Sequence, residues 1–444
     1  MARQIVQYEG AFTADTRKII NDNFTEIYSD LQQRSKKLQA VAAGGWLPND
    51  YLGNGKYGRD DDRAEGRKRI RLAGSAISNI QLGFAGFYEQ NSVGETNFGN
   101  DYQVEVAIEN ASPSAYQRSF TNNLTIATVP DGSQLLLSAP VGYNYDADTD
   151  IYTRVGYTTD SGATKKMPSN ADQAIRSGDS FEFSTGYGVS QVAATGSITL
   201  PPGGIDYLVC GVPYLVLGVP TTPIPAVCVL GDSIADGYLD TGDNNGNKGF
   251  VQRGLWSVNG HAIARTVQTS GGDRLSFNQI NNGSLKRVAW QYHTHLICQL
   301  STNDIAAASS LAALQENAQA IWAAAKRVTS PYGRPMHVSH VTCAPRTTSV
   351  DNWTTPGGQT PQANFQAGGI RSQFNAWLVT QVGRGLLDAV IDPNVYIEDQ
   401  ANPGKFVTNG VANYITPDGI HLGNTGSTLA ATAINNWARE ISVL

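Results

Sequence analysis

The stretch "VCVLGDSIAD", residues 227–236, opens as an apolar run and stops on a small polar turn. A continuous β-branched and apolar run of this length reads as a strand buried on both faces. Gly231, Asp232 and Ser233 end it and lead straight into helix-compatible residues. Two readings follow. The turn is an ordinary strand-to-helix connection, or it holds the Ser233 hydroxyl in the open at the head of a helix.

Working outward, the Thr/Pro linker "PTTPIPA" (220–226) precedes this stretch, and the pattern after it alternates. Buried-type strands "AVCVL", "THLICQL" and "PMHVSHVTCA" are separated by helix-compatible runs such as "SLAALQENAQAIWAAAKRV". This is the rhythm of a parallel sheet covered by helices on both faces. Working groups in such sheets gather at the carboxyl ends of the strands. Ser233 follows one strand end, and Ser270, Gly271 and Gly272 occupy a turn in "TVQTSGGDRLSF". Ser301, Thr302, Asn303 and Asp304 follow another strand end, and "YITPDGIHLGNTGS" carries Asp418 and His421 three residues apart. Each signal alone is weak; the four in this order form a constellation.

The chemistry of these residue types is coherent. A serine hydroxyl needs a base to take its proton during attack, and imidazole suits that task near neutral pH. A carboxylate three residues before the histidine can reach the far ring nitrogen and fix the tautomer. Backbone N–H groups at Ser233 and Gly271 and the Asn303 amide can stabilise an oxyanion, each by roughly 3 kcal/mol. These residue types suit the second reading, with Ser233 presented as a nucleophile at a helix start, while the ordinary strand-to-helix turn stays open as the lesser one.

Residues 224–444 resemble the SGNH hydrolases, the GDSL-like esterase and lipase superfamily, through "GDSIADG", "STNDI", "APRTTSVDNW" and "DGIHL". The likeness is to a bacterial and phage-borne subgroup with a β-rich domain before the hydrolase domain. It implies a flavodoxin-like α/β fold with Ser233 as nucleophile, His421 as base and Asp418 as orienting carboxylate. It also implies Ser233, Gly271 and Asn303 as the oxyanion hole. Ser301 stands where the family's Asn block usually opens with Gly, so its Cβ is a departure at that turn.

The rest of the chain divides into three segments. In residues 1–45, Ile20, Phe24, Ile27, Leu31, Leu38 and Val41 form a narrow stripe after a Thr13 N-cap, which predicts a helix over 12–41. Such a helix docks on its own domain or pairs with copies of itself. The phrase "INDNFTEIY" resembles N-terminal helices of phage tail and other virion proteins. Residues 46–74 read as a polar connector without regular structure, because glycine and charge dominate them. Residues 75–220 alternate in the strand manner between turns such as "PDGS" and "PPGG", which predicts a β-sandwich. The expected architecture is therefore an N-terminal helix, a β-sandwich and an α/β hydrolase domain with a parallel sheet.

Composition sets the remaining expectations. A net charge of −6 over 444 residues argues against nucleic-acid binding, which needs a basic surface. No window approaches the ~20 apolar residues of a membrane span, and the start lacks the apolar core of a secretory signal. Cys210, Cys228, Cys298 and Cys343 are far apart in sequence and read as buried free thiols, as expected in a reducing cytoplasm. The pair His293 and His295 reads as structural, and no metal or other cofactor is expected. No apolar lid accompanies the motifs, which disfavours a long-chain lipase. Trp353, in the polar loop 344–365, and Trp256, with Tyr292, are candidate aromatic faces for a sugar; core or anchoring roles are equally ordinary for each. The expectation is a virion O-acetyl esterase acting on acetylated host glycan or another short-chain ester. It would be a homo-oligomer, expected as a trimer, docked to virion proteins by its N-terminal helix and assembled in the host cytoplasm. The alternatives are a virion receptor-binding protein that binds glycan without turnover, and a bacterial cytoplasmic carboxylesterase.

Overall fold

The computed structural model describes residues 37–53, 62–110, 116–117, 126–160, 164–170, 176–184, 190–199, 209–279 and 285–441. The expected helix over 12–41 lies outside these residues up to position 36. Its last turn is not helical: Gln39–Ala40 and Ala43–Trp46 are strands, and Val41 is fully buried between them.

A six-stranded sheet organises the second half of the chain. In spatial order its strands are Ala43–Trp46, Ala264–Thr269, Ala226–Gly231, His295–Gln299, His337–Val341 and Ala389–Ile391, every neighbouring pair parallel. The apolar run at 226–231 is buried on both faces, as its composition requires. Val227 and Val229 pack with the helix Asn424–Glu440 and with Phe250 and Ile397. Cys228 and Leu230 point the other way, into a core with Leu314, Trp322 and Phe374 from the helices Leu311–Lys326 and Ile370–Gln381. Ser310 caps the first of these helices by accepting the Ala313 N–H at 3.2 Å. Its Trp322 stacks on Trp377 at 5.4 Å.

From 226–231 the chain moves to 264–269 on one side, and then runs outward on the other through 295–299, 337–341 and 389–391. This is the expected flavodoxin-like order. The direction of winding reverses beside 226–231, so a crevice opens at the carboxyl end of that strand. The outer strand Ala43–Trp46 comes from the chain's beginning, outside the 224–444 boundary read from the sequence.

In the β-rich region the two largest antiparallel sheets share a core. One holds Gln39–Ala40, Leu215–Pro220, Ile77–Phe84 and Leu136–Leu137. The other is centred on Arg63–Arg71 and Asp150–Thr158, paired along nine residues, with Tyr102–Asn110, Ile126–Val129 and Ser180–Ser184 beside them. Phe84 and Tyr157 meet edge to face between the sheets, at 6.1 Å. The described residues of 46–74 are therefore not an irregular connector: Asp50–Gly53 and Arg63–Arg71 are strands. Charges of the strand Arg63–Arg71 that suggest solvent are paired inside the protein. Arg67 and Arg154 share Glu109, at 2.9 and 2.8 Å, and Lys68 meets Asp179 at 2.7 Å. A buried charge persists when a partner of opposite sign and hydrogen bonds replace its water.

All four cysteines are buried and unbonded to one another. His293 and His295 are buried as well: His293 bonds the Ala289 carbonyl at 2.8 Å and the Thr266 hydroxyl at 2.9 Å. Burial pushes His293 down to about 4 and His295 to about 3, so both rings are neutral structural members. Among the described residues no helix is long and apolar enough to cross a membrane.

Candidate active site

Gly231 ends its strand and Asp232 turns the chain. The Asp232 side chain accepts the Ile234 N–H at 2.9 Å and caps the one-turn helix Ser233–Asp236. Ser233 is half-buried at the head of that helix. Asp236, at its far end, accepts the Thr269 hydroxyl at 2.6 Å, and the Asn49 amide reaches the Thr269 carbonyl at 3.3 Å. The turn is thus tied to the neighbouring strand.

The three residues of the expected triad come together. Ser233 Oγ lies 2.8 Å from His421 Nε2, and His421 Nδ1 lies 2.6 Å from Asp418 Oδ2. The other carboxylate oxygen of Asp418 accepts the backbone N–H groups of Ile420 at 2.9 Å and His421 at 2.8 Å. Burial alone would raise the Asp418 carboxyl; the His421 ring and these two N–H donors outweigh it and hold the group at about 2. Asp418 is therefore ionised at neutral pH. It fixes the proton on Nδ1 and leaves Nε2 to take the serine proton.

The turn carrying Asp418 and His421 is braced by Trp353. A Cβ at Gly419, which has φ +79°, would lie 2.8 Å from the Trp353 ring and 1.9 Å from the Thr347 carbonyl, so only glycine fits there. Trp353 Nε1 donates to Thr347 Oγ1 at 2.9 Å, and the Thr347 N–H donates to the Gly419 carbonyl at 2.9 Å. Trp353 is thus brought to the site as an anchor of the catalytic turn.

Trp256 is not brought to the triad. Its ring lies under the guanidinium of Arg176, 4.8 Å from the centroid, and beside Arg71 at 5.7 Å, so it serves the contact with the β-rich region. Tyr292 packs against the core of that region. Both are candidate sugar faces in the sequence, which does not tell an exposed aromatic from one covered by residues distant in the chain.

The oxyanion donors need a sharper account. Asn303 sits in the first turn of the helix Thr302–Ala306, where the Ser301 carbonyl accepts the first intrahelical bond, from the Ile305 N–H at 3.0 Å. Ser301 is buried, so its Cβ is accommodated. Asn303 Nδ2 reaches the Asp273 carbonyl at 3.1 Å and Asp232 Oδ2 at 3.4 Å, which places it against the nucleophile turn. The Gly271 N–H is engaged as well: it donates to Asn91 Oδ1 at 3.1 Å. The next donor on that loop, the Gly272 N–H, has no hydrogen-bond partner among the described residues.

Two residues at the site went unread in the sequence. Tyr238, 44% exposed, sets its ring edge-on to His421 at 4.8 Å, and it is placed there by the left-handed Gly237 that ends the Ser233 helix. Arg346, on the loop after His337–Val341, is half-buried with its Nε lacking a hydrogen-bond partner. Its guanidinium lies over the Phe365 ring, 5.9 Å from the centroid, and burial holds it below the usual range against the pull of Cys343, Asp418 and Asp232. Neither belongs to a spacing pattern, so only the fold reveals them. A cavity of about 180 Å³ lined by Ile224, Pro225, His261 and Ile263 lies at the opposite, amino end of the strands.

Residues 229–429 match the GDSL-like Lipase/Acylhydrolase family. The chain therefore carries a domain of that family, and the match spans the nucleophile turn, the Gly271–Gly272 loop, Asn303 and the Asp418–His421 turn. No curated protein matches the chain. Among solved structures it is similar to a carbohydrate acetylesterase family member from Sinorhizobium meliloti, at 15% identity and TM-score 0.33, over 49% of this chain and 98% of that one. It is similar to a member of the lipolytic protein G-D-S-L family from Veillonella parvula, at 18% identity and TM-score 0.32, over 48% and 96% of the two chains. A Bacillus subtilis protein, YxiM, aligns over 83% of this chain and 78% of its own, at 12% identity and TM-score 0.33.

Proposed function

We propose that this chain is a serine esterase that removes short acyl groups, acetyl foremost, from a carbohydrate, and that it acts from a virion on host surface polysaccharide. The observation that carries the esterase reading is the continuous relay from Ser233 Oγ through His421 to Asp418, at 2.8 and 2.6 Å. In the first half-reaction His421 Nε2 takes the Ser233 proton as Oγ attacks the ester carbonyl. The Ser233–acyl bond forms, and the proton passes to the departing alcohol. Water then repeats the sequence and releases the acid. A protein that only bound glycan would have no use for a relay in hydrogen-bonding register.

The acyl and sugar preferences rest on the rim. Tyr238 offers an exposed ring beside His421, and Arg346 adds a cation near the same turn. A small acyl group on an oxygen-rich substrate suits these neighbours. The reading invokes N–H donors for the oxyanion and no metal ion, so chelation leaves turnover unchanged. The virion role is supported by the likeness of "INDNFTEIY" to virion helices. The trimer reading now rests on Ile20, Phe24, Ile27 and Leu31 alone, since Leu38 and Val41 lie in or beside the β-rich core. The deciding experiment measures acetate released from O-acetylated polysaccharide by the protein and by Ser233→Ala. Equal release by the two would sink the esterase reading. Sedimentation of the full chain as a monomer would sink the trimer.

A further inference from the structure

The double glycine at 271–272 has an explanation outside the family-matched residues. The strands Phe87–Gln90 and Gly94–Asn97 form a hairpin of the β-rich region, and its turn lies on the Ser270–Gly272 loop. Asn91 Oδ1 accepts both the Ser270 hydroxyl at 2.9 Å and the Gly271 N–H at 3.1 Å. The Ser92 N–H donates to the Gly271 carbonyl at 2.8 Å. A Cβ at Gly271 would lie 3.2 Å from Asn91 Oδ1, and one at Gly272, which has φ +74°, would lie 2.1 Å from Ser92 Oγ. Gly272 is therefore required by its left-handed backbone and the approach of the hairpin, whereas a Cβ at Gly271 would sit tightly against the Asn91 amide.

The hairpin is held in place by buried charge. Lys286 Nζ lies 2.9 Å from Glu89 Oε2 and 3.6 Å from Asp273 Oδ2, all three side chains 1% exposed, at ion-pair distance without hydrogen-bond alignment. Glu95 accepts the backbone N–H groups of Leu285 at 3.0 Å and Lys286 at 2.7 Å. The contact then continues to the chemistry, because the Asp273 carbonyl accepts Asn303 Nδ2.

We propose that Asn91 is a positioning residue of the esterase site: by holding Ser270 and the Gly271 N–H it fixes the loop beside Ser233, so that the β-rich region completes the hydrolase site. The proposal rests on the esterase reading above. It assigns the remaining loop donor, the Gly272 N–H, to the oxyanion, and it makes turnover depend on a residue far from the matched family segment.

The test uses the full chain with p-nitrophenyl acetate and a fluorophosphonate that labels the active serine. Asn91→Ala should lower kcat by roughly 10- to 100-fold with KM within a few-fold of the parent, because a loosened donor loop weakens transition-state binding more than substrate binding. Asn91→Asp keeps an acceptor for Ser270 and Gly271 but sets a negative charge beside the developing oxyanion. Its kcat relative to the parent should therefore fall as pH rises through the carboxylate range, a trend that a purely structural role would not produce. If Asn91→Ala does not fold, the Asn91→Asp ratio decides. Parental kcat in Asn91→Ala overturns the proposal. Faster turnover also overturns it, since it would mean that Asn91 blocks a needed donor. A parent protein that is neither labelled nor active would instead overturn the esterase reading itself.

Discussion

Two central strands, one in each half of this molecule, bury opposite kinds of residue. The strand Ala226–Gly231 is apolar throughout and faces helices on both sides, so its sequence and its place in the fold say the same thing. The strand Arg63–Arg71, "RAEGRKRIR", is equally central to its sheet and reads like a solvated linker. What differs is where the compensation sits. Apolar strands are stabilised by any well-packed neighbour, whereas Arg67, Lys68 and Arg154 need Glu109 and Asp179, which arrive from 42 to 111 residues away in the chain and are invisible to any local window. Hydrophobic burial can be read from composition, and ionic burial only from tertiary structure.

The largest expected effect separates chemistry from folding. Ser233→Ala or His421→Ala should lower short-ester turnover on the order of 10⁴- to 10⁶-fold while leaving the thermal midpoint near the parent's. Asp418→Asn should cost on the order of 10³- to 10⁴-fold, since the amide no longer enforces the Nδ1–H tautomer. Near-parental rates in any of these, by stopped assay with p-nitrophenyl acetate, would remove the relay from the mechanism.

The second test acts on the β-rich half. Glu109→Ala strands two buried guanidinium groups and should destabilise that region by about 3–5 kcal/mol, read by chemical denaturation. An unchanged midpoint would mean that water replaces Glu109 and that the charged strand is less buried than it appears in the fold. Activity should fall along with stability, because the hairpin carrying Asn91 belongs to the same region.

A smaller effect follows pH. The Asp418 carboxyl is depressed to about 2 in the folded protein, so its stabilising contribution is present above the ordinary carboxylate range and is lost as pH falls toward 2. The difference in thermal midpoint between the parent and Asp418→Asn should therefore shrink on acidification. A difference that stays constant to pH 2 would show that the Asp418–His421 link does not stabilise the fold. Its size is modest, because the Asp418 side chain is 34% exposed and solvent screens it.

What could be read in advance follows the same division. Ser233, Asn303, Asp418 and His421 stand at strand ends or tight turns of the apolar half, where local pattern fixes position. The engagement of the Gly271 N–H was not legible, because its partner Asn91 lies 180 residues earlier. Nor was the sixth parallel strand, since "AGGW" at 43–46 has too little side chain to signal a strand and takes its place by lying against Ala264–Thr269.

The two tryptophans offered as sugar faces give the finest comparison, because the fold sends them to different halves of the problem. Trp353 is linked through Thr347 to Gly419, two residues from His421. Trp353→Ala removes the ring against which that turn closes, and a shift of a fraction of an ångström at His421 lengthens the proton path from Ser233. A displacement near 1 Å can cost about 10²-fold, so a partial relaxation should lower kcat about 10-fold with little change in KM. Trp256 lies under Arg176 and Arg71, where a cation–π contact contributes about 0.5–1 kcal/mol. Trp256→Ala should therefore lower the thermal midpoint slightly and leave kcat and KM for an acetylated sugar at parental values. If Trp256→Ala instead raises KM for the sugar ester and not for p-nitrophenyl acetate, that ring faces the glycan, and the substrate crosses from the catalytic half onto the β-rich half.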